Sequence, residues 1–311
     1  MHLSPDDIDR RRGGLFGLLV GDALGVPYEF HDPANLPPAD LIDMAPPAGF
    51  RRSHLGVPEG TWSDDGAQAL ALLDTLLSCD GLDADHLGAG FVAWWNDGYA
   101  TPDGRPFDIG NQTTEALYKL EAGVPALQCG GRGERDNGNG SLMRVLPLAL
   151  WHTGSDDALV RDAHLQSRVT HAHPRSEACC ALYCLWARRI LEGVEEPWEA
   201  AVDTLSGLYG RPAHAAHEAE LRLILQPFVP RGTGYVLDCL HSARVALRGP
   251  DYASIVRRAV AFGLDTDTTA AVAGGIAGLR FGEQGIPDRW RAELKGRDFV
   301  EGLCARAGWL G

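Results

Sequence analysis

Two short acidic runs hold the residues with the most chemical potential in this chain: Ser63-Asp64-Asp65 and Asp265-Thr266-Asp267-Thr268. Each combines hydroxyls with paired carboxylates, and each stands where a helix should begin. Either run alone reads equally well as helix capping. Ser and Asp accept hydrogen bonds from the free N–H groups of a first turn, and acids suit the positive end of the helix dipole. Taken together they suggest more, because four carboxylates converging on one place would repel each other unless cations sat among them. All-oxygen donors, with no Cys or His beside them, select Mg²⁺ or Mn²⁺ over zinc. Two such ions about 3.5–4 Å apart can grip neighbouring oxygens of one substrate, and a vicinal diol is a natural target.

Three further polar clusters carry weaker signals. Asp108-Ile109-Gly110-Asn111-Gln112-Thr113-Thr114 lies at an expected helix start, where capping is again a sufficient explanation. Gly138-Asn139-Gly140-Ser141 precedes the apolar run Leu142 to Leu150, so the spacing predicts a helix over 141–152. Its free N–H groups would suit a phosphate, although an ordinary turn fits as well. Thr170-His171-Ala172-His173 places two histidines at i, i+2, which would diverge on a helix and make a poor zinc pair.

The elements that must position these groups read as helices throughout. Ser4-Pro5-Asp6-Asp7 is a strong helix opening, followed by a helix to about Leu24 in which Gly14, Gly17, Gly21 and Gly25 recur at helical spacing. Such glycines cost propensity but let another backbone approach closely. Residues 31–60 are rich in Pro and Gly without periodicity and read as a flexible flap over a site. The pattern then predicts helices at about 64–79, 84–96, 112–121, 156–169, 174–193, 197–207, 213–225, 233–246, 251–262, 267–281 and 287–296. Period-2 alternation bounded by hairpin turns is almost absent. The expectation is an all-α fold in a single domain spanning 1–311, with no internal repeat.

Composition narrows the function classes. The 311 residues are 45% hydrophobic and 23% charged, ordinary for a folded protein. A formal charge of −14 repels a phosphate backbone, so no nucleic-acid partner is expected, and any anionic ligand would need metal ions or helix N-termini. Seven cysteines without a CxxC pair read as reduced core thiols and a cytoplasmic setting. Arg10-Arg11-Arg12 before Leu15 to Val20 has a superficial look of a secretory start, but the apolar run is short and Asp22 interrupts it. No membrane span is expected.

In order along the chain, Gly21-Asp22-Ala23-Leu24-Gly25 with Glu29, Trp62-Ser63-Asp64-Asp65, Asp108-Ile109-Gly110, Gly138-Asn139-Gly140 with Met143-Arg144, Thr170-His171, Gly234-Tyr235 and Gly263 to Thr268 resemble the ADP-ribosylglycohydrolase family. The resemblance implies an all-α orthogonal helical bundle holding two Mg²⁺ ions, replaceable by Mn²⁺, in a cleft for ADP-ribose. Carried over by motif, the metal ligands would be Ser63, Asp64, Asp65, Asp265, Asp267 and Thr268, with Ser63 standing where the family usually has Thr. Asp108 and Glu29 would be the catalytic carboxylates. Asn111, Gly138, Asn139, Gly140, Ser141, His171 and Tyr235 would contact the ligand, with Ser141 standing where a small apolar residue or Gly is frequent.

The implied activity is cleavage of the N-glycosidic bond of mono-ADP-ribosylated arginine on a protein, with release of ADP-ribose by a monomeric enzyme. Rival readings are a hydrolase of serine-linked or other O-linked ADP-ribose, a non-catalytic ADP-ribose binder, and a plain Mg²⁺ phosphohydrolase.

Overall fold

The computed structural model describes residues 3–310, which form fourteen α-helices and no sheet; the only extended pairings among them are two isolated bridges. α1 (Pro5–Gly25) opens with Ser4 accepting the Asp7 N–H while Asp7 accepts the Ser4 N–H, and Pro5 occupies the first turn. α2 (Asp64–Cys79), α3 (Ala84–Asp97) and α4 (Asn111–Glu121) follow the 31–60 stretch. Then come α5 (Leu146–Trp151), α6 (Asp156–Arg168), α7 (Pro174–Leu191), α8 (Pro197–Tyr209) and α9 (Ala215–Ile224). α10 (Val236–Ala246), α11 (Tyr252–Val260), α12 (Thr266–Phe281), α13 (Asp288–Glu293) and α14 (Arg297–Arg306) complete the chain.

The central event is the packing of α1 on α12. A Cβ at Gly21 would fall 2.2 Å from the Ala270 carbonyl oxygen, and one at Gly17 would fall 2.4 Å from that of Gly274. Only glycine permits backbones this close, so the glycine spacing along α1 is an interlocking surface. One contiguous apolar core runs from Leu15 on α1 to Trp309, with Trp62, Trp94 and Trp290 among its largest buried members. The glycine contact sets the depth at which Thr266 and Asp267, the first residues of α12, enter that core.

Two helix expectations need correction. Residues 141–144 form consecutive turns, not the start of a helix: Leu142 and Met143 N–H both donate to Asn139 O, and α5 begins only at Leu146, with Pro147 in its first turn. The Gly138 to Ser141 turn therefore has no helix N-terminus behind it. The last helix, α14, escaped the sequence reading because Gly302 and the scattered charges of Arg297–Arg306 hide a narrow apolar face. Val300, Leu303 and Cys304 form that face at i, i+3, i+4, with α2 as a neighbour.

The 31–60 stretch contains two short 3₁₀ turns and is tied down at several points. Tyr28 Oη donates to Asp43 O at 2.9 Å, Trp290 Nε1 donates to Asp43 Oδ1 at 2.6 Å, and Arg257 Nε donates to Ile42 O at 2.9 Å. All seven cysteines are free thiols, six of them buried. No helix among the described residues is long and apolar enough to cross a membrane.

Away from the acidic runs, α6, α7 and α9 meet around a buried Glu177. It accepts a forked pair from Arg168 at 2.7 and 3.0 Å, and His217 Nε2 lies 2.7 Å away. Burial pushes the Glu177 carboxyl up, but the His217 and Arg168 contacts outweigh it and hold it at about 2. His164 stacks on His217 with ring centroids 4.4 Å apart, and burial with that neighbour's repulsion pushes His164 down to about 3. Both folded values lie below the unfolded ones, so the folded state binds fewer protons and stability must fall with falling pH. The loss runs from about pH 6.5 to about pH 3 for His164 and from about pH 4.5 to about pH 2 for Glu177. His164→Gln is expected to flatten the stability profile between about pH 6 and 4 by about 1–3 kcal/mol. Urea denaturation at stepped pH checks this, and an unchanged slope refutes the assignment.

Candidate functional site

Asp22, one turn from the end of α1, is where the first acidic run is set. Its buried carboxylate accepts the Ser63 N–H at 2.9 Å and the Gly66 N–H at 2.8 Å, so α1 caps α2 from outside. Ser63 Oγ turns inward to Asp65 Oδ2 at 3.2 Å, leaving Asp64 to face a cleft of about 440 Å³. The second run arrives from the far end of the chain. Thr268 Oγ1 donates to Asp65 Oδ2 at 3.3 Å, which joins the two runs directly, and Asn139 Nδ2 donates to Asp265 Oδ2 at 2.8 Å.

Asp64, Asp265 and Thr268 line the cleft; Ser63, Asp65 and Asp267 lie buried around them. Oxygen atoms of Glu29, Asp265 and Asp267 lie within 4.8 Å of one another. Burial, followed by repulsion from neighbouring acids, drives Asp64, Asp65 and Asp267 well above the usual carboxylate range, and burial raises Asp265 against the hydrogen bonds it receives from Thr268 and Asn139. Asp65 Oδ1 and Asp267 Oδ2 are buried without any hydrogen-bond partner. Buried carboxylate oxygens are costly unless paired, so these two orphans among convergent acids fit a divalent cation. The set supplies oxygen alone, the preference of Mg²⁺ or Mn²⁺.

A second wall of the cleft carries Asp108 and Glu29, the latter within 4.8 Å of Asp265 and Asp267. Asp108 adopts left-handed backbone (φ 61°), as do Phe30, His54 and Leu264 at φ 62°, 49° and 59°. Non-glycine residues in this region cost about 1 kcal/mol or more each and gather where surrounding structure imposes them. Phe30 and Leu264 are locked together, Phe30 N–H donating to Leu264 O at 2.6 Å and Leu264 N–H to His31 O at 2.7 Å. His54 comes from the 31–60 stretch, between the rings of Phe30 and Phe107. Its Nε2 lies 2.6 Å from Glu29 Oε2 and 3.8 Å from Asp108 Oδ1. Burial and the surrounding acids, Asp108 first, push the Glu29 carboxyl far up.

The third wall is the Gly138 turn. Asn139 N–H donates to Gly234 O at 3.0 Å and Val236 N–H to Asn137 O at 2.9 Å, which stitches the turn to the segment before α10. Gly138, Asn139, Gly140, Asn111 and His171 line the cleft together with Gln112, Thr113 and Arg135. Tyr235 stands beside it: its hydroxyl accepts from Arg175 Nη1 at 3.1 Å, and its neighbour Gly234 is the lining residue. Ser141 does not belong to the cleft. It is fully buried, its hydroxyl accepting from Ser167 Oγ at 2.8 Å and lying 3.4 Å from Cys180 Sγ. The turn that follows Gly140 places this side chain in the core, so its hydroxyl is not offered to the cleft where a ligand contact is expected.

Sequence reasoning passed over Asp22 as a structural group, His54, Gln68 and Arg135. Gln68 had a signal: it lies one turn after Asp64 on the same helix face. Arg144, fully buried in an apolar run, also needed partners that its sequence neighbours could not supply. His54 had none, being one histidine in an aperiodic stretch.

The ADP-ribosylglycohydrolase profile matches residues 3–310. The ADP-ribosylarginine hydrolase Tri1 of Pseudomonas putida (strain GB-1) is 31% identical over 97% of this chain and 79% of its own length. The ADP-ribosyl-(dinitrogen reductase) glycohydrolase of Rhodospirillum rubrum is 29% identical over 98% of both chains, and human ADP-ribosylhydrolase ARH3 is 26% identical over 96% of this chain and 92% of its own. A solved structure described as an ADP-ribosylglycohydrolase-related protein complex superposes with a TM-score of 0.77 at 30% identity, covering 97% of this chain and 98% of that one.

Proposed function

The chain belongs to the ADP-ribosylglycohydrolase family, and on that premise we propose that it hydrolyses the N-glycosidic bond linking ADP-ribose to an arginine side chain of a modified protein. The observation that carries this reading is one cleft with three chemically distinct walls: Asp64, Asp265 and Thr268; Asp108 with Glu29; and the Gly138 to Gly140 turn with His171. A vicinal diol, a scissile linkage and an anionic diphosphate match these walls in turn.

Ser63, Asp64, Asp65, Asp265, Asp267 and Thr268 would hold two Mg²⁺ ions, or Mn²⁺ in their place. Bound there, they would supply positive charge for the ribose hydroxyls and for a water. Breaking the bond at the anomeric carbon builds oxocarbenium character, which a nearby carboxylate stabilises. Asp108, on the cleft wall, would take that role and accept a proton from water, with Glu29 as the second candidate. The cleft lining contains no Lys, and its single Arg is exposed. That suits a substituted guanidinium, which leaves as neutral guanidine without a strong acid. Opening of the ribose ring assisted by Asp108 before the linkage is lost is the other route compatible with these positions. The enzyme would act as a monomer in the cytoplasm.

One observation favours a second reading. Glu29 keeps its proton readily and touches His54, so this pair could protonate the poorer leaving group of serine-linked or other O-linked ADP-ribose. Arginine-, serine- and nucleic-acid-linked ADP-ribose, each incubated with Mg²⁺ and with chelator, separate the two. The expected result is release from arginine alone, falling at least about 100-fold under chelation. Release from serine alone transfers the activity to the second reading, and activity indifferent to chelator removes the metal pair.

A further inference from the structure

Between the acidic wall and the phosphate-facing wall runs a continuous buried chain of polar groups that the activity as derived does not use. Gln68 Nε2 donates to Asp64 Oδ2 at 3.2 Å. Gln68 Oε1 accepts from Arg144 Nη1 at 2.8 Å. Arg144 Nη2 donates to Thr170 Oγ1 at 2.8 Å, and Thr170 Oγ1 lies 2.7 Å from His171 Nδ1. Arg144 also donates to the Gln166 side chain and carbonyl, at 3.1 and 2.9 Å, and stacks over Phe91 at 4.4 Å.

The protons in this chain are determined by chemistry. A guanidinium can only donate, so Gln68 must turn its oxygen to Arg144 and its NH₂ to Asp64, which as a carboxylate only accepts. The same donation occupies a lone pair of the Thr170 hydroxyl, leaving its one proton to point elsewhere. The neighbour in reach is His171 Nδ1, which accepts if that proton is to have a partner. Protonation of Nδ1 would fill the hydroxyl's second lone pair and leave its proton with no acceptor within hydrogen-bond distance among the described residues, and burial beside Arg144 opposes a second proton on the ring. The remaining proton lies on Nε2. That atom has no hydrogen-bond partner among the described residues and faces the cleft between Gly138 and Gly140, where added Cβ atoms would each lie 3.3 Å from it.

We propose that Arg144 and Thr170 are positioning residues that lock His171 as a neutral Nδ1-acceptor, Nε2–H-donor imidazole, so that the cleft presents a fixed donor to the anionic part of its ligand. The inference rests on the reading of the cleft as an ADP-ribose site for the identity of that ligand. The locked tautomer itself does not depend on that reading. Because Arg144 also reaches Asp64 through Gln68, one buried guanidinium orients groups on two walls of the cleft.

Thr170→Val keeps the shape and removes the hydroxyl; Thr170→Ser restores it. Proton–nitrogen correlation NMR of the ¹⁵N-histidine-labelled protein is expected to show His171 of the wild type as the Nε2–H form from about pH 5.5 to about pH 8. In Thr170→Val that preference is lost and the Kd for ADP-ribose rises about tenfold, while kcat at saturating substrate and Mg²⁺ affinity stay within about threefold. Thr170→Ser is expected to recover binding to within about twofold.

Three outcomes overturn the inference: an Nδ1–H ring in the wild type, Thr170→Val binding ADP-ribose as the wild type does, or a Thr170→Ser variant as weak as Thr170→Val. Arg144→Met tests the other end, and the Thr170 pair decides the matter if that variant fails to fold. A wild type that binds no ADP-ribose would instead overturn the reading of the cleft, and the tautomer measurement would still decide this inference.

Discussion

Asp267→Asn is expected to abolish hydrolysis, by about 10³-fold or more, while making the metal-free protein more stable than the wild type. Asp267 is fully buried at the start of α12, with Oδ1 accepting only the Thr268 N–H and Oδ2 accepting nothing. Its ionised form is opposed by burial and by Glu29, Asp108, Asp65 and Asp265. A neutral amide removes one charge from that cluster and can donate to the acids left behind, a gain of about 1–3 kcal/mol in chelator. With Mg²⁺ present the order should reverse, because the wild type gains binding energy that the variant has lost. Thermal denaturation in chelator and in millimolar Mg²⁺, run beside the activity assay, reads both halves. A variant that is less stable in chelator, or that keeps the full Mg²⁺ shift, would show that Asp267 is structural.

Asp108→Asn should leave the metal response intact and remove turnover of ADP-ribosyl-arginine by about 10³-fold or more. Asn is the better substitution for this position than Ala. Asp108 holds φ 61°, a left-handed conformation that Asn tolerates, so fold and ligand contacts are preserved while the carboxylate is lost. ADP-ribose should bind within a fewfold of wild type and Mg²⁺ should stabilise the variant as before. Near-normal turnover would exclude Asp108 from the chemistry and pass its role to Glu29, whose partner His54 lies 2.6 Å from Glu29 and 3.8 Å from Asp108. The two variants fail differently: one loses the metal response and activity together, the other loses activity alone.

Much of this was legible in the chain itself. The capping box at Ser4, the acids opening α2 and α12, and the 3.6-residue periodicity are local signals, and most helices lie within a few residues of where those signals put them. The differences have a common cause. Ser141 was expected to face a ligand because it follows Gly140, but whether that side chain points outward or inward depends on the turn after the glycine, and Pro147 delays the helix that would have set its direction. α14 was missed because Val300, Leu303 and Cys304 are too few apolar residues to announce a helix without the surface they pack on.

The sequence by itself determined the donor chemistry: hard oxygens in two separate runs, a Gly-rich turn, and glycines at helical intervals. Those are properties of residue type and local spacing. Only the tertiary structure decided that the runs meet. The backbone contact of Gly17 and Gly21 with α12 and the capping of α2 by Asp22 bring Thr268 onto Asp65 across some two hundred residues of chain. It decided as well that His54 would reach Glu29 and that Arg144 would find Gln68 and Thr170. Such partners are chosen by packing depth and helix crossing, and a side chain carries no local mark of what will face it once the core closes.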